Sequence, residues 1–116
     1  MNKYSDKSDF EINKAVAEEL TQSGFIIGIE YHDKHILVTD KYANSYPFDP
    51  CNNPADAMPI VKDNLISLEH DGIAWQVSCV RHPEISVWDG CENYNDNFYR
   101  KAMELFLLMK DAENEK

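Results

Sequence analysis

The sequence has few glycines, four in all, and only five prolines. So few glycines leave little from which to build a phosphate cradle. No Gly-rich phosphate loop, His-Glu-x-x-His or Gly-x-Ser-x-Gly motif occurs. No apolar run reaches the length of about 18 residues that a membrane span needs, so no segment is expected to cross a bilayer. The stretch from Met1 to Phe10 is polar and charged. It has no apolar core behind a basic start, which argues against a secretory signal. Cysteine is also scarce: Cys51, Cys79 and Cys91 are odd in number and widely spaced. Reduced thiols in a cytosol are the economical expectation.

Basic residues are the other shortage. Lys and Arg total 11 against 21 Asp and Glu, a formal charge of −10. Residues 1–58 hold 5 basic and 10 acidic side chains, and the rest hold 6 and 11, so the acidity is spread. With no basic cluster to neutralise phosphates, direct nucleic-acid binding is not expected. Spread acidity first reads as solubility through self-repulsion, and second as a DNA-mimicking surface for a basic partner.

What is present is the composition of one globular domain. The 116 residues are 43% hydrophobic and 11% aromatic. A chain of this length buries roughly two thirds of the surface its unfolded form exposes. Ser8-Asp9-Phe10-Glu11 has the form of a capping box. Ile12, Val16 and Leu20 follow at helical spacing, predicting a helix from about Asp9 to Thr21 that ends near Gly24. Phe25 to Tyr31 and His35 to Thr39 read as strands about the turn His32-Asp33-Lys34. A loop rich in Tyr, Asn, Pro and Asp runs from Asp40 to Asn53. Asn53-Pro54 opens a second helix, with Asn53 as cap, Pro54 in the first turn and Asp56 complementing the helix dipole. Its buried face is Ala57, Ile60 and Val61, and it ends near Asn64. Leu65 to Glu69 and Ile73 to Arg81 flank His70-Asp71-Gly72 as a second hairpin. Ile85 to Trp88 reads as a short further strand and Asp89-Gly90 as a turn. A last helix runs from Asn95-Asp96 to about Asp111. The order αββαββ(β)α predicts an α+β domain, with a mainly antiparallel sheet of four to five strands and three helices.

The last helix carries more apolar surface than one face needs. Taken from Phe98 at 100° per residue, its main stripe spans about −20° to 80°. Tyr99, Met103 and Leu107 fall near about 100°, 140° and 180°, leaving Arg100, Lys101 and Glu104 as the polar side. Either the helix is wedged between two layers, or Tyr99, Met103 and Leu107 meet another chain, most simply in a homodimer.

Sites for chemistry are thin. Cys79-x-x-His82 with Cys51 and Cys91 offers four zinc ligands but only one pair at short spacing. Cys79 falls on the apolar face of its strand, so a core thiol and a surface histidine are the plainer reading. His32-x-x-His35 straddles a turn. Cys51 is a nucleophile only if a histidine reaches it, and nothing in the sequence places one there. Scattered acids such as Asp33, Asp40 and Asp49 give no reason to expect Mg²⁺. No catalytic residue, metal or cofactor is expected.

Three segments together resemble the NinX proteins of lambda-like phages and prophages. They are Ser8-Asp9-Phe10-Glu11-Ile12-Asn13-Lys14-Ala15-Val16-Ala17-Glu18, Cys51-Asn52-Asn53-Pro54-Ala55-Asp56-Ala57-Met58-Pro59-Ile60, and Arg100-Lys101-Ala102-Met103-Glu104-Leu105-Phe106-Leu107-Leu108-Met109. The second is the most specific. Met58 departs from a larger aromatic there, and Arg81 to Asn93 matches poorly. The resemblance implies phage or prophage origin and expression in a bacterial cytoplasm, and it supplies no biochemical activity and no catalytic residues. Helix capping explains the second segment. A functional reading makes Asn52, Asn53 and Asp56 a polar recognition edge beside Tyr46 and Phe48.

The expectation is therefore a non-enzymatic phage accessory module that binds a host or phage protein, without membrane or direct nucleic-acid contact. The rivals are a small enzyme acting on a nucleotide or nucleic acid, which needs Cys51, Asp56 and a histidine in one pocket, and an acidic DNA mimic.

Overall fold

The computed structural model of the chain describes residues 3–70, 72, 75–85 and 97–114. Helix α1 (Asp9–Gln22) starts where the capping box places it: the Glu11 amide donates to Ser8 Oγ at 3.1 Å, and the Ser8 amide donates back to Glu11 Oε1 at 3.3 Å. It stops because Gly24, at φ +86°, turns the chain left-handed, while the Phe25 amide bonds the Leu20 carbonyl. Strands β1 (Ile26–His32) and β2 (His35–Asp40) pair antiparallel about the turn at Asp33–Lys34. The expected loop after them contains a short strand, β3 (Ser45–Pro47), paired Val38 to Tyr46. Three residues with a proline at one end give no alternation long enough to read from sequence.

Helix α2 (Pro54–Asp63) is capped by Asn53, whose Oδ1 accepts the Ala55 amide at 3.0 Å. Strands β4 (Ile66–His70) and β5 (Trp75–Cys79) form a second antiparallel pair. Val77 and Cys79 point inward while Gln76 and Ser78 face out, as the alternation predicts. Helix α3 (Phe98–Asn114) closes the chain. The expected strand at Ile85 to Trp88 lies outside the described residues except for Ile85, and Asp89-Gly90 and the helix start at Asn95-Asp96 lie outside them entirely. Within the described chain, the Asn97 side chain caps α3, its Oδ1 accepting the amides of Tyr99 and Arg100.

The protein is α+β, and among the described residues its strands form two sheets rather than one: β1-β2-β3 and β4-β5. Helix α1 packs on β1 and β2, and α3 packs on α1, α2, β4 and β5. Hence α3 lies between α1 on one side and the two-stranded sheet on the other. This decides between the two readings of its surplus stripe. Every residue from Lys101 to Leu107 is buried, with Met103 at 0% and Leu107 at 3% exposure, and Tyr99 is half-buried. Of the three residues expected at an interface, Tyr99, Met103 and Leu107, the protein's own layers cover Met103 and Leu107, and Tyr99 stays half-buried. The expected polar side turns inward too, with Lys101 and Glu104 buried. Among the described residues, no helix is long and apolar enough to cross a membrane.

Candidate functional site

Two constructions stand at the ends of these helices, a partly buried polar clasp and an open cleft. The clasp is built on Asn13, which follows Ile12 on the buried side of α1. Its Nδ2 donates to Asp49 Oδ1 at 2.7 Å, and its Oδ1 accepts the Cys51 amide at 3.1 Å. Asn52 Nδ2 donates to Asp9 Oδ2 at 3.0 Å and to both Asp49 oxygens, at 3.2 and 3.3 Å. Asn97 Nδ2 donates to the Cys51 carbonyl and to Asn52 Oδ1. Arg100 completes the clasp from α3. Its guanidinium donates to Asp9 Oδ1 at 2.6 Å, to Glu104 Oε2 at 2.8 Å, and to the carbonyls of Tyr4 and Lys7.

These contacts satisfy the backbone N–H and C=O of the buried Cys51, which would otherwise be stranded away from water. Asp56 joins from α2, its Oδ2 accepting the Asp49 amide at 2.9 Å. Cys51 is fully buried inside the turn. Burial first, then the nearby Asp9 carboxylate, pushes its thiol far above the usual range. A thiol held protonated in this way is a poor nucleophile.

The cleft opens on the other side of Asp56. It has a volume of about 650 Å³ and is walled by the end of α1, the β1–β3 sheet, α2 and the end of α3. Leu20, Ile26, Phe48, Ile60 and Phe106 form an apolar floor, and Phe25, Tyr42 and Tyr46 line the rim. Five carboxylates face it, from Glu19, Asp40, Asp56, Asp63 and Glu113, against two lysines, Lys41 and Lys110. Burial, followed by the charges of Asp40 and Asp56, raises the Tyr46 hydroxyl above its usual pKa. Burial likewise raises the Asp56 carboxyl, although the Asp49 amide works against it.

The residues expected to form one recognition edge are divided. Tyr46, Phe48 and Asp56 line the cleft. Asn52 belongs to a second hollow, of about 490 Å³, beside Asp9, His35 and Phe48. Asn53 lines neither and caps α2. Cys51, Asp56 and a histidine do not share a pocket: Asp56 faces the cleft, His35 faces the second hollow, and Cys51 faces neither. The zinc reading fares no better. The Cys79 thiol is buried against the Asn64 carbonyl, and His82 lies between Glu84 and Glu113. Cys91 is outside the described residues. Among the described residues no group of three or more His, Cys, Asp or Glu is placed to hold a metal ion.

The clasp joins the three sequence segments singled out above: the start of α1, the Cys51–Asp56 turn and the start of α3. A family model described as "Bacteriophage P22, NinX" matches residues 3–110. The chain belongs to the NinX family. No curated protein and no solved structure matches it. The NinX segments thus meet in space as a structural clasp, while the cleft draws on residues that lie mostly outside them. Sequence reasoning missed Asn13, Asp49 and Arg100 as partners. The signal within reach was Asn13, a polar residue set among Ile12, Val16 and Ala17 on a buried face. Of the cleft, the sequence pointed only to Tyr46, Phe48 and Asp56, because the other walls come from stretches far apart in the chain.

Proposed function

We propose that this NinX chain is a non-enzymatic accessory protein of a phage or prophage. It acts in the bacterial cytoplasm by seating a segment of a host or phage protein in the cleft between α1, β1–β3, α2 and the end of α3. One observation carries the reading. The cleft is large enough for several side chains and combines an apolar floor with exposed aromatic rims, Tyr42 being 73% and Phe25 48% exposed. Exposed aromatics around a concavity are the usual anchors of protein recognition. The clasp beside it holds the surrounding turns in place, so the cleft walls are preorganised.

The test is capture on the immobilised chain from host lysate and from phage-infected lysate, followed by crosslinking from a photoreactive residue at position 42. A specific protein should be retained and crosslinked. Tyr42→Ala and Tyr46→Ala should abolish its retention, while Val80→Ser, at an exposed position outside the cleft, should not. Equal retention by all three variants would rule the cleft out.

A further inference from the structure

The cleft's chemistry narrows its occupant, an argument that rests on the docking reading above. We infer that the segment it takes is basic and amphipathic: an arginine or lysine side chain lies among Glu19, Asp56 and Asp63, and a neighbouring apolar side chain lies on the Phe48–Ile60–Phe106 floor.

Charge is the first argument. Both cleft lysines are already engaged. Lys41 Nζ lies over the rings of Phe25 and Tyr42, at 5.0 and 5.4 Å from their centroids. Lys110 Nζ lies 5.6 Å from the Phe106 centroid and 3.7 Å from Glu113. Asp40 Oδ1 accepts the amides of Tyr42 and Asn44. The side chains of Glu19 and Asp63, by contrast, make no hydrogen bond or ion pair with the described residues. The rim thus carries unneutralised negative charge, and an anionic segment or a phosphate would be repelled.

Ring geometry is the second argument. Lys41 shows that the faces of Phe25 and Tyr42 are presented to a cation at cation–π distance. A guanidinium from a partner can stack there in place of the ammonium, and it is the better-suited cation for flat aromatic faces. The overall charge of −10 would draw a basic partner from a distance.

The probe is a fluorescein-labelled peptide of alternating leucine and arginine, with a control carrying citrulline for arginine, read by anisotropy. The arginine peptide should bind, and the citrulline peptide should bind about tenfold more weakly or worse. Neutralising the cleft with Glu19→Gln and Asp63→Asn should weaken the arginine peptide by about tenfold. Among the described residues neither side chain makes a hydrogen bond or ion pair, so loss of fold from these changes is unexpected, and thermal melts check it. Adding Asp56→Asn should deepen the loss. Neutralising Glu30, Asp33 and Glu69, which lie outside the cleft, removes as much charge as the triple cleft variant and should leave affinity nearly unchanged. Equal effects from the two sets would mean general attraction to an acidic protein and would overturn the inference. If the citrulline peptide binds as well as the arginine one and Tyr42→Ala weakens both, docking stands and the basic occupant is wrong. If Tyr42→Ala and Tyr46→Ala move neither peptide, the docking reading falls with it.

Discussion

Arg100 ties three long-range partners together among the described residues, Asp9 and the carbonyls of Tyr4 and Lys7. Its side chain is 15% exposed and reaches the first helix, the segment before it and Glu104 on its own helix. Removing one partner of such a cluster leaves uncompensated charge and bare carbonyls. Arg100→Met should cost about 3 kcal/mol in urea unfolding, towards the low end for a buried pair because Asp9 is nearly half exposed. Arg100→Lys should recover only part of that, since an ammonium cannot fork to four acceptors. Cys51 supports a prediction in pH. Its thiol pKa is raised in the folded chain, so above about pH 8.5 the unfolded chain loses this proton and the folded one keeps it. The unfolded state then binds fewer protons, and stability must fall as pH rises through that range. Urea titrations from pH 7 to 10 should show this decline, and Cys51→Ala should flatten it, whatever its effect at neutral pH.

Among the elements, the helices were legible because their punctuation is local. Ser8 with Glu11, Gly24 and Asn53-Pro54 act within one turn of themselves, and α1 and α2 begin and end within one or two residues of expectation. The strand β3 was illegible because three residues take their conformation from pairing with Leu37, Val38 and Thr39, not from their own pattern. The junction after α2 shows a local conflict. Leu65 sits at φ +57°, a left-handed conformation that a Cβ disfavours, yet its side chain is half exposed. Leu65→Gly should relieve the strain and lose little burial, raising stability by about 1 kcal/mol in thermal or urea unfolding. A loss of stability there would mean that Leu65 contributes packing its exposure conceals.

At the scale of the whole molecule, the decisive feature is the placement of α3 between α1 and the two-stranded sheet. Met103 and Leu107 are interior residues of one chain, so Met103→Ala and Leu107→Ala should each destabilise by about 3 kcal/mol. Light scattering should show the oligomeric state unchanged by either; a change in association without loss of stability would return these residues to an interface. The cleft belongs to this scale as well. Phe25, Asp40, Tyr46, Asp56, Ile60 and Phe106 are scattered over some eighty residues and become one surface only when three helices and a sheet close on each other. By itself the sequence determined the α+β class, the helix caps, the alternation of β5, the acidity and the NinX membership, because each is written in spacings of a few residues or in composition. Only the tertiary structure decided that the strands part into two sheets, that the apolar excess of α3 is internal, and that Tyr46 and Asp56 share a cleft while Asn52 and Asn53 do not. Those outcomes depend on which distant faces meet, and a one-dimensional pattern records which side chains need burial but not what buries them.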